Sequence, residues 1–460
     1  MLERAFYQKL LNWKRSNERK ALLVDGARQI GKTTLIEEFS RREYADSIKI
    51  DFIEDSTAAA YLGEAASAKD LIERLTLLVG KPVEPGRTLV FFDEVQEAPR
   101  IVTLVKYLVQ DGRFPVVMSG SMLGVELHNV PSFPVGFLRI EHMFPLTFNE
   151  FCRAQNVPEA VMNSIGNAFR NREPLEATLH DRLIRLFRLY LVVGGMPEAV
   201  QRYLDTRYDL GAVRTTQTDL VALYRQDIAK YAGNRALQVK AIFDELPAQL
   251  AKENKRFQLK SLRDKARFER FANDFAWLVS AKAALKTVNV TEPKFMLKRT
   301  EEEARFKLYA SDTGMLMSEY PTEVAMAALA GARDVNYGSV YENAVAQALA
   351  AAGSPLRYYH NNRKGEIDFL IETDQAKVVP VEVKSGKDYK LHTALNNLLG
   401  TPDFGIEYAY VLSEANVSTR ERAGKPVHYL PMYMMDCVAK EASTRGPAEV
   451  PLMIAPPSFA

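Results

Sequence analysis

Cysteine is nearly missing: Cys152 and Cys437 are the only two in 460 residues. Two distant thiols in so long a chain argue against a disulfide framework and for a reducing compartment. Each reads as a small buried apolar residue. Long apolar runs are missing as well. No stretch reaches the roughly eighteen apolar residues that a membrane helix needs, so no membrane span is expected. The opening Met1-Leu2-Glu3-Arg4-Ala5-Phe6 lacks the apolar core of a secretory signal. These absences together lead to the expectation of a cytoplasmic protein. An excess of one charge is missing too: 60 Lys and Arg face 58 Asp and Glu. The composition therefore does not announce a nucleic-acid binder, and any basic surface must be local. There is no internal repeat, and the length suggests about two to four domains.

What is present is a glycine-bounded loop, Gly26-Ala27-Arg28-Gln29-Ile30-Gly31-Lys32-Thr33-Thr34. It follows the apolar run Ala21–Val24, which reads as a buried strand, and leads into Leu35–Phe39, which has helical spacing. Strand, loop, Lys-Thr and helix form the phosphate-cradling arrangement called a P-loop. Gly26 and Gly31 permit a tight turn and a close backbone approach. Successive N–H groups and the helix N-terminus then face an anion. Lys32 is expected to reach the β- and γ-phosphates of ATP, and the Thr33 hydroxyl to ligate Mg²⁺. A second apolar run, Thr88–Phe92, ends in Asp93-Glu94, as a buried parallel strand with a carboxylate at its tip would. Asp93 is the expected Mg²⁺ partner, and Glu94 is placed to polarise the attacking water.

Around these motifs strands alternate with helices: an amphipathic helix over 1–20 with Leu2, Phe6, Leu10 and Trp13 on one face, a strand at Ser47–Phe52, helices at Ser67–Val79 and Arg100–Gln110, and strands at Phe114–Met118 and Leu138–Met143. The alternation implies a parallel sheet with helices on both faces. Ser119, at the tip of the Val116–Met118 strand, is the expected γ-phosphate sensor, with Ser121 as the alternative; a serine there also suits the cap of a following helix.

At this point the chain resembles a large prokaryotic group of AAA+ ATPases that end in a domain called DUF4143. The resemblance is carried by the P-loop, Phe91–Gln96, Ser119-Gly120-Ser121, Phe144–Phe151, Val193-Gly194-Gly195-Met196-Pro197 and Asp312-Thr313-Gly314. It implies ATP and Mg²⁺ as cofactors. The family often shows a Gly-Arg pair before the Pro-Leu segment, where this chain has Gly136-Phe137-Leu138-Arg139. Arg139 is the candidate arginine finger acting on a neighbour in a homo-oligomer, against its reading as an ordinary strand arginine.

The expected fold is α/β: a P-loop AAA+ module over 1–180, a helical connection over 181–235, a winged-helix-like segment over 236–325, a restriction-endonuclease-like domain over 326–440, and a loose tail over 441–460. In the winged-helix segment, helices are expected at Leu237–Leu250 and Phe268–Leu278, a short one after Phe257, and wing strands at Ala284–Val290 and Phe306–Ala310. Eight Lys or Arg lie against three acids between Lys252 and Arg270. A helix-turn-helix with that excess suits duplex DNA, and winged helices also dock proteins. Farther on, strands at Leu356–His360, Gly365–Ile371 and Val378–Lys384 follow a helix containing Glu342. Asp on one strand, Glu-x-Lys on the next and Glu on the preceding helix resemble the metal-dependent nuclease core written PD-(D/E)xK. Asp368 and Glu382 would share a divalent cation, Lys384 would stabilise charge on the phosphate, and Glu342 would complete the site. The same residues also suit a nucleic-acid grip or a structural charge cluster.

Overall fold

The structure is a computed structural model that describes residues 2–16, 18–121, 134, 136–252, 255–262, 267–332, 338–386 and 392–442. Arg263 and Lys265 of the basic stretch, and the tail beyond Ala442, lie outside the described residues.

Five parallel strands form the first sheet: β1 (Ala21–Gly26), β2 (Asp46–Asp51), β3 (Thr88–Asp93), β4 (Val116–Gly120) and β5 (Leu138–Met143), in the order β2-β3-β4-β1-β5. Every residue of β1, β3 and β4 is buried, as the unbroken apolar runs demand of strands covered on both faces. One face packs against Leu71 and Leu75 of helix Ala68–Val79 and Ile101, Val105 and Leu108 of helix Pro99–Asp111. Phe52 and Phe92 stack at 5.9 Å between ring centres. Side chains of this size each contribute about 1.5–3 kcal/mol on burial. The expected strand Ser47–Phe52 ends one residue earlier, because Asp51 Oδ1 accepts the N–H groups of Ile53 (2.9 Å) and Glu54 (3.2 Å) and turns the chain. The N-terminal helix is confined to Phe6–Arg15, which leaves Leu2 outside it.

The chain divides into two compact units. One comprises 1–158, 186–286 and 307–347, the other 159–185, 287–306 and 348–460. In the second unit a five-stranded sheet has the order β10-β11-β12-β14-β13, from β10 (Phe369–Glu372), β11 (Val378–Val383), β12 (Ala409–Ser413), β13 (Ser418–Arg422) and β14 (Lys425–Pro431). Arg172 lies over Phe169 at 4.3 Å and over the Tyr410 ring of β12 at 5.1 Å. β14 is interior, and its Pro431 stands at the strand end opposite Ser413. The edge strand is β13, joined to β14 by a turn with Ala423 at φ 49° and Gly424 at φ 73°. Its wholly polar sequence hides it from hydrophobic patterning.

A four-stranded sheet has the order β7-β6-β8-β9, from β6 (Ala284–Val290), β7 (Glu301–Ala310), β8 (Arg357–Asn361) and β9 (Gly365–Ile367). The helices Ala236–Leu250 and Phe268–Ser280 precede it. The two expected wing strands are part of a four-stranded sheet, in which β6 pairs in parallel with β8 through Val288–Val290. A parallel partner some seventy residues on leaves no local signature. The expected strand Gly365–Ile371 is also two strands: β9 pairs with β8, β10 pairs with β11, and Asp368 stands at the break.

Candidate functional site

Strand register brings the separated motifs together. Gly26 on β1 stands beside Met143 on β5, Asp25 beside Gly120 on β4, and Phe92 on β3 beside Met118. The P-loop, Asp93 and Ser119 therefore share the carboxyl edge of the sheet, where open α/β sheets bind ligands. Gly26 is required by the close approach of β5: a Cβ there would lie 2.5 Å from the Met143 carbonyl oxygen. Gly31, at φ 84°, opens helix Lys32–Glu43 from the left-handed region.

Lys32 is buried, and its ammonium donates to the Gly26 and Ala27 carbonyls at 3.0 and 2.8 Å. Burial pulls its pKa down, against the pull of Glu94, Asp25 and Asp93. A buried cation held by two backbone carbonyls fits an anionic ligand. Thr33 Oγ1 donates to Asp93 Oδ2 at 2.7 Å, and Ser119 donates to Asp93 Oδ1. Burial pushes the Asp93 carboxyl up, and these two hydroxyls draw it back. A hydroxyl beside a carboxylate is the hard oxygen set that Mg²⁺ takes, so Thr33 and Asp93 fit that ion.

Glu94 sits at φ 51°, rarely adopted by a residue with a side chain. Its Oε2 accepts from Gln96 Nε2 at 2.6 Å and from Ser121 Oγ at 3.2 Å. Of the two candidate serines, Ser119 thus contacts Asp93 and Ser121 contacts Glu94. Gln96 was not singled out as a site residue; its only signal is an amide two positions after the acid. Arg139 lies far down β5, opposite Leu22 rather than Gly26, and pairs with Glu141 at 2.9 Å.

The N-terminal segment and the helices after β5 close round the loop. Arg4 is buried and donates to the Ile30 carbonyl at 2.9 Å and to Glu150 at 3.2 Å. Glu150 completes a capping box with Thr147. A cavity of about 230 Å³ beside the loop is lined by Leu2, Arg4, Gly31, Leu35 and Pro197 among others. The Gly194-Gly195 and Asp312-Thr313-Gly314 motifs meet each other. Gly195 N–H donates to Asp312 Oδ2 at 2.6 Å, and Leu146 N–H donates to the Gly195 carbonyl at 2.6 Å. Gln347 Oε1 accepts the Thr313 N–H at 2.9 Å. These motifs build a buried backbone junction.

The C-terminal charged residues each have partners of their own. Glu342 is buried; its Oε1 accepts from Lys255, its Oε2 accepts from Tyr309 at 2.9 Å, and Lys307 lies 3.6 Å away. Although burial opposes ionisation, the Lys255 and Lys307 ammonium groups hold this carboxyl well below the usual range. Lysine ammonium groups thus stand beside both carboxylate oxygens of Glu342. In the second unit Asp368 Oδ2 accepts the Val383 N–H at 2.8 Å and Lys384 pairs with Glu382 at 2.7 Å. Among the described residues no group of three or more His, Cys, Asp or Glu is placed to hold a metal.

Because the folded Glu342 pKa is depressed, its contribution to stability is present at neutral pH and is lost as pH falls below the ordinary carboxylate range. Glu342→Gln is expected to be less stable than the parent at pH 7, with the gap closing between about pH 5 and pH 2. Urea unfolding across that range checks this.

The strand order, the loop and the acidic strand tip define a P-loop nucleotide-binding module. Residues 18–152 match the family model for an AAA domain, 184–322 a domain of unknown function (DUF8612), and 337–433 a second one, DUF4143. The chain thus carries an AAA domain over residues 18–152 and a DUF4143 domain over residues 337–433. No curated protein matches it. Solved structures show slight likeness. The Thermotoga maritima RuvB Holliday junction branch migration motor is 13% identical with a TM-score of 0.28, over 62% of this chain and 90% of that one. The S. cerevisiae Hsp104–ADP complex is 11% identical with a TM-score of 0.26, over 75% and 43%. C. elegans PCH-2 is 14% identical with a TM-score of 0.19, over 37% and 45%. The chain thus spans less than half the length of the last two. No described helix is long and apolar enough to cross a membrane.

Proposed function

We propose that this chain binds ATP with Mg²⁺ and hydrolyses it, and that DNA is the partner on which it acts or by which it is regulated. The observation that carries the ATPase reading is the cluster of buried Lys32, the Thr33–Asp93 pair and Glu94 at one sheet edge. Amides of Gly26–Gly31 cradle the phosphates, and Lys32 balances charge on the outer two. Thr33 and Asp93 would hold Mg²⁺, which neutralises phosphate charge when bound. Glu94 accepts a hydrogen bond from the attacking water and aligns it with the terminal phosphorus. Ser119 fixes Asp93; Ser121 and Gln96 fix Glu94. Leu2 and Pro197 offer the base an apolar wall. A role for Arg139 in trans requires a homo-oligomer in which it exchanges Glu141 for a neighbour's nucleotide.

The DNA reading is supported by Lys260, Arg267 and Arg270, exposed in the winged-helix-like segment. A second reading follows from the lysine-neutralised Glu342: a nucleotide switch that docks protein partners on an inactive nuclease-like scaffold. ATP turnover with and without duplex DNA, over a salt series, separates the two. The first expects stimulation that fades as salt rises; turnover indifferent to duplex, forked and single-stranded DNA contradicts it and favours the switch.

A further inference from the structure

The P-loop carries a second cation besides Lys32. Arg28 lies between the two loop glycines and pairs with Asp227 at 2.5 Å, the arginine side chain 33% exposed and the aspartate 12%. Asp227 belongs to helix Leu210–Tyr231, which also grasps the loop backbone, since Tyr224 OH donates to the Arg28 carbonyl at 3.1 Å. One turn farther, Tyr231 OH donates to Glu97 at 2.9 Å and Lys230 lies 3.7 Å from the same carboxylate. A single helix thus holds both the P-loop and the segment that follows Glu94. Arg28 is near enough to Lys32 to oppose its charge, and Glu94 near enough to Asp227 to oppose its ionisation. The Arg28–Asp227 pair therefore stands within the electrostatic field of the phosphate site.

A mostly buried, singly charged carboxylate and the terminal phosphate of a nucleotide would compete for one guanidinium. The phosphate has more charge and matches the fork of the arginine. We infer that Arg28 is the residue by which the site tells a nucleoside triphosphate from a diphosphate, with Asp227 as the resting partner that the triphosphate displaces. The exchange frees Asp227 from the loop, so the helix 210–231 is gripped differently in the two nucleotide states. This inference rests on the P-loop reading above.

The test measures dissociation constants of the full chain for AMP-PNP and ADP with Mg²⁺, by calorimetry. Arg28→Ala is expected to weaken AMP-PNP about tenfold more than ADP. Asp227→Asn, which removes the competing charge, is expected to tighten AMP-PNP by about fivefold relative to ADP. The double variant should match Arg28→Ala, because the two residues act through one contact. Arg28→Lys keeps the charge without the fork and should fall between parent and Arg28→Ala, which keeps the test open if Asp227→Asn does not fold. Equal weakening of both nucleotides by Arg28→Ala, or additive effects of the two substitutions, would overturn the inference while leaving the P-loop reading intact. No binding of either nucleotide by the parent would overturn both.

Discussion

Glu94→Gln is expected to bind ATP about as tightly as the parent and to turn it over about a hundredfold to ten-thousandfold more slowly. The substitution keeps the shape of the side chain and removes the proton acceptor. Glu94 has the geometry of a group held for a purpose: a left-handed backbone at φ 51°, and one carboxylate oxygen bonded to both Gln96 and Ser121. Strained conformations of this kind persist where the surroundings over-determine them. The other oxygen receives no hydrogen bond from those two side chains. A glutamine in its place still fills the space, so binding survives while water alignment fails. Turnover of Glu94→Gln within a factor of about three of the parent would show that another group positions the water. Gln96→Ala is a milder companion, expected to lower turnover without touching nucleotide affinity.

The second large effect is structural. Gly195→Ala is expected to destabilise the first unit by more than about 4 kcal/mol. A methyl group there would lie 2.9 Å from the Leu146 nitrogen and 3.0 Å from Gln347 Nε2, with the Leu146 carbonyl closer still. Those neighbours are backbone or fully committed: Leu146 N–H is bonded to Gly195 O, Tyr190 OH donates to Leu146 O at 2.8 Å, and Gln347 Nε2 donates to Tyr190 OH at 3.1 Å. Gly314 is equally constrained, since its Cβ would meet Gly194 Cα and Val193 O at 2.6 Å. Gly166, inside helix Glu159–Asn171, has only the tip of Arg170 at 3.9 Å. Gly166→Ala should therefore stabilise by about 0.5–1 kcal/mol. Denaturant titration of both variants is the check; a Gly195→Ala protein as stable as the parent would refute the packing described for this junction.

The P-loop was legible because its chemistry is contiguous: strand, glycines, Lys32-Thr33 and helix lie within twenty residues, and the burial of β1 and β3 follows from their apolar runs. The left-handed backbone of Glu94 was not legible, since no residue type announces it. Nor was the Arg28–Asp227 pair, whose partners are 199 positions apart. The glycine motifs at 194–195 and 314 could be noticed but not explained before Leu146, Asp312 and Gln347 were seen to converge on them. In the C-terminal half, patterning located β8 and β11 to within a residue or two. It missed the break at Asp368, because a strand passing from one sheet to another keeps its alternation. Nor could it pair Glu342 with its lysines, which come from positions 255 and 307, far off in the chain.

The most direct measurement is calorimetric titration of the full chain with ATP in the presence of Mg²⁺, beside the same titration of Lys32→Ala. Saturable one-to-one binding by the parent, abolished in the variant while its unfolding curve stays cooperative, is the predicted result. A parent that takes up no ATP, or a Lys32→Ala protein that binds it equally well, would contradict the assignment of the loop at 26–34 as the nucleotide site.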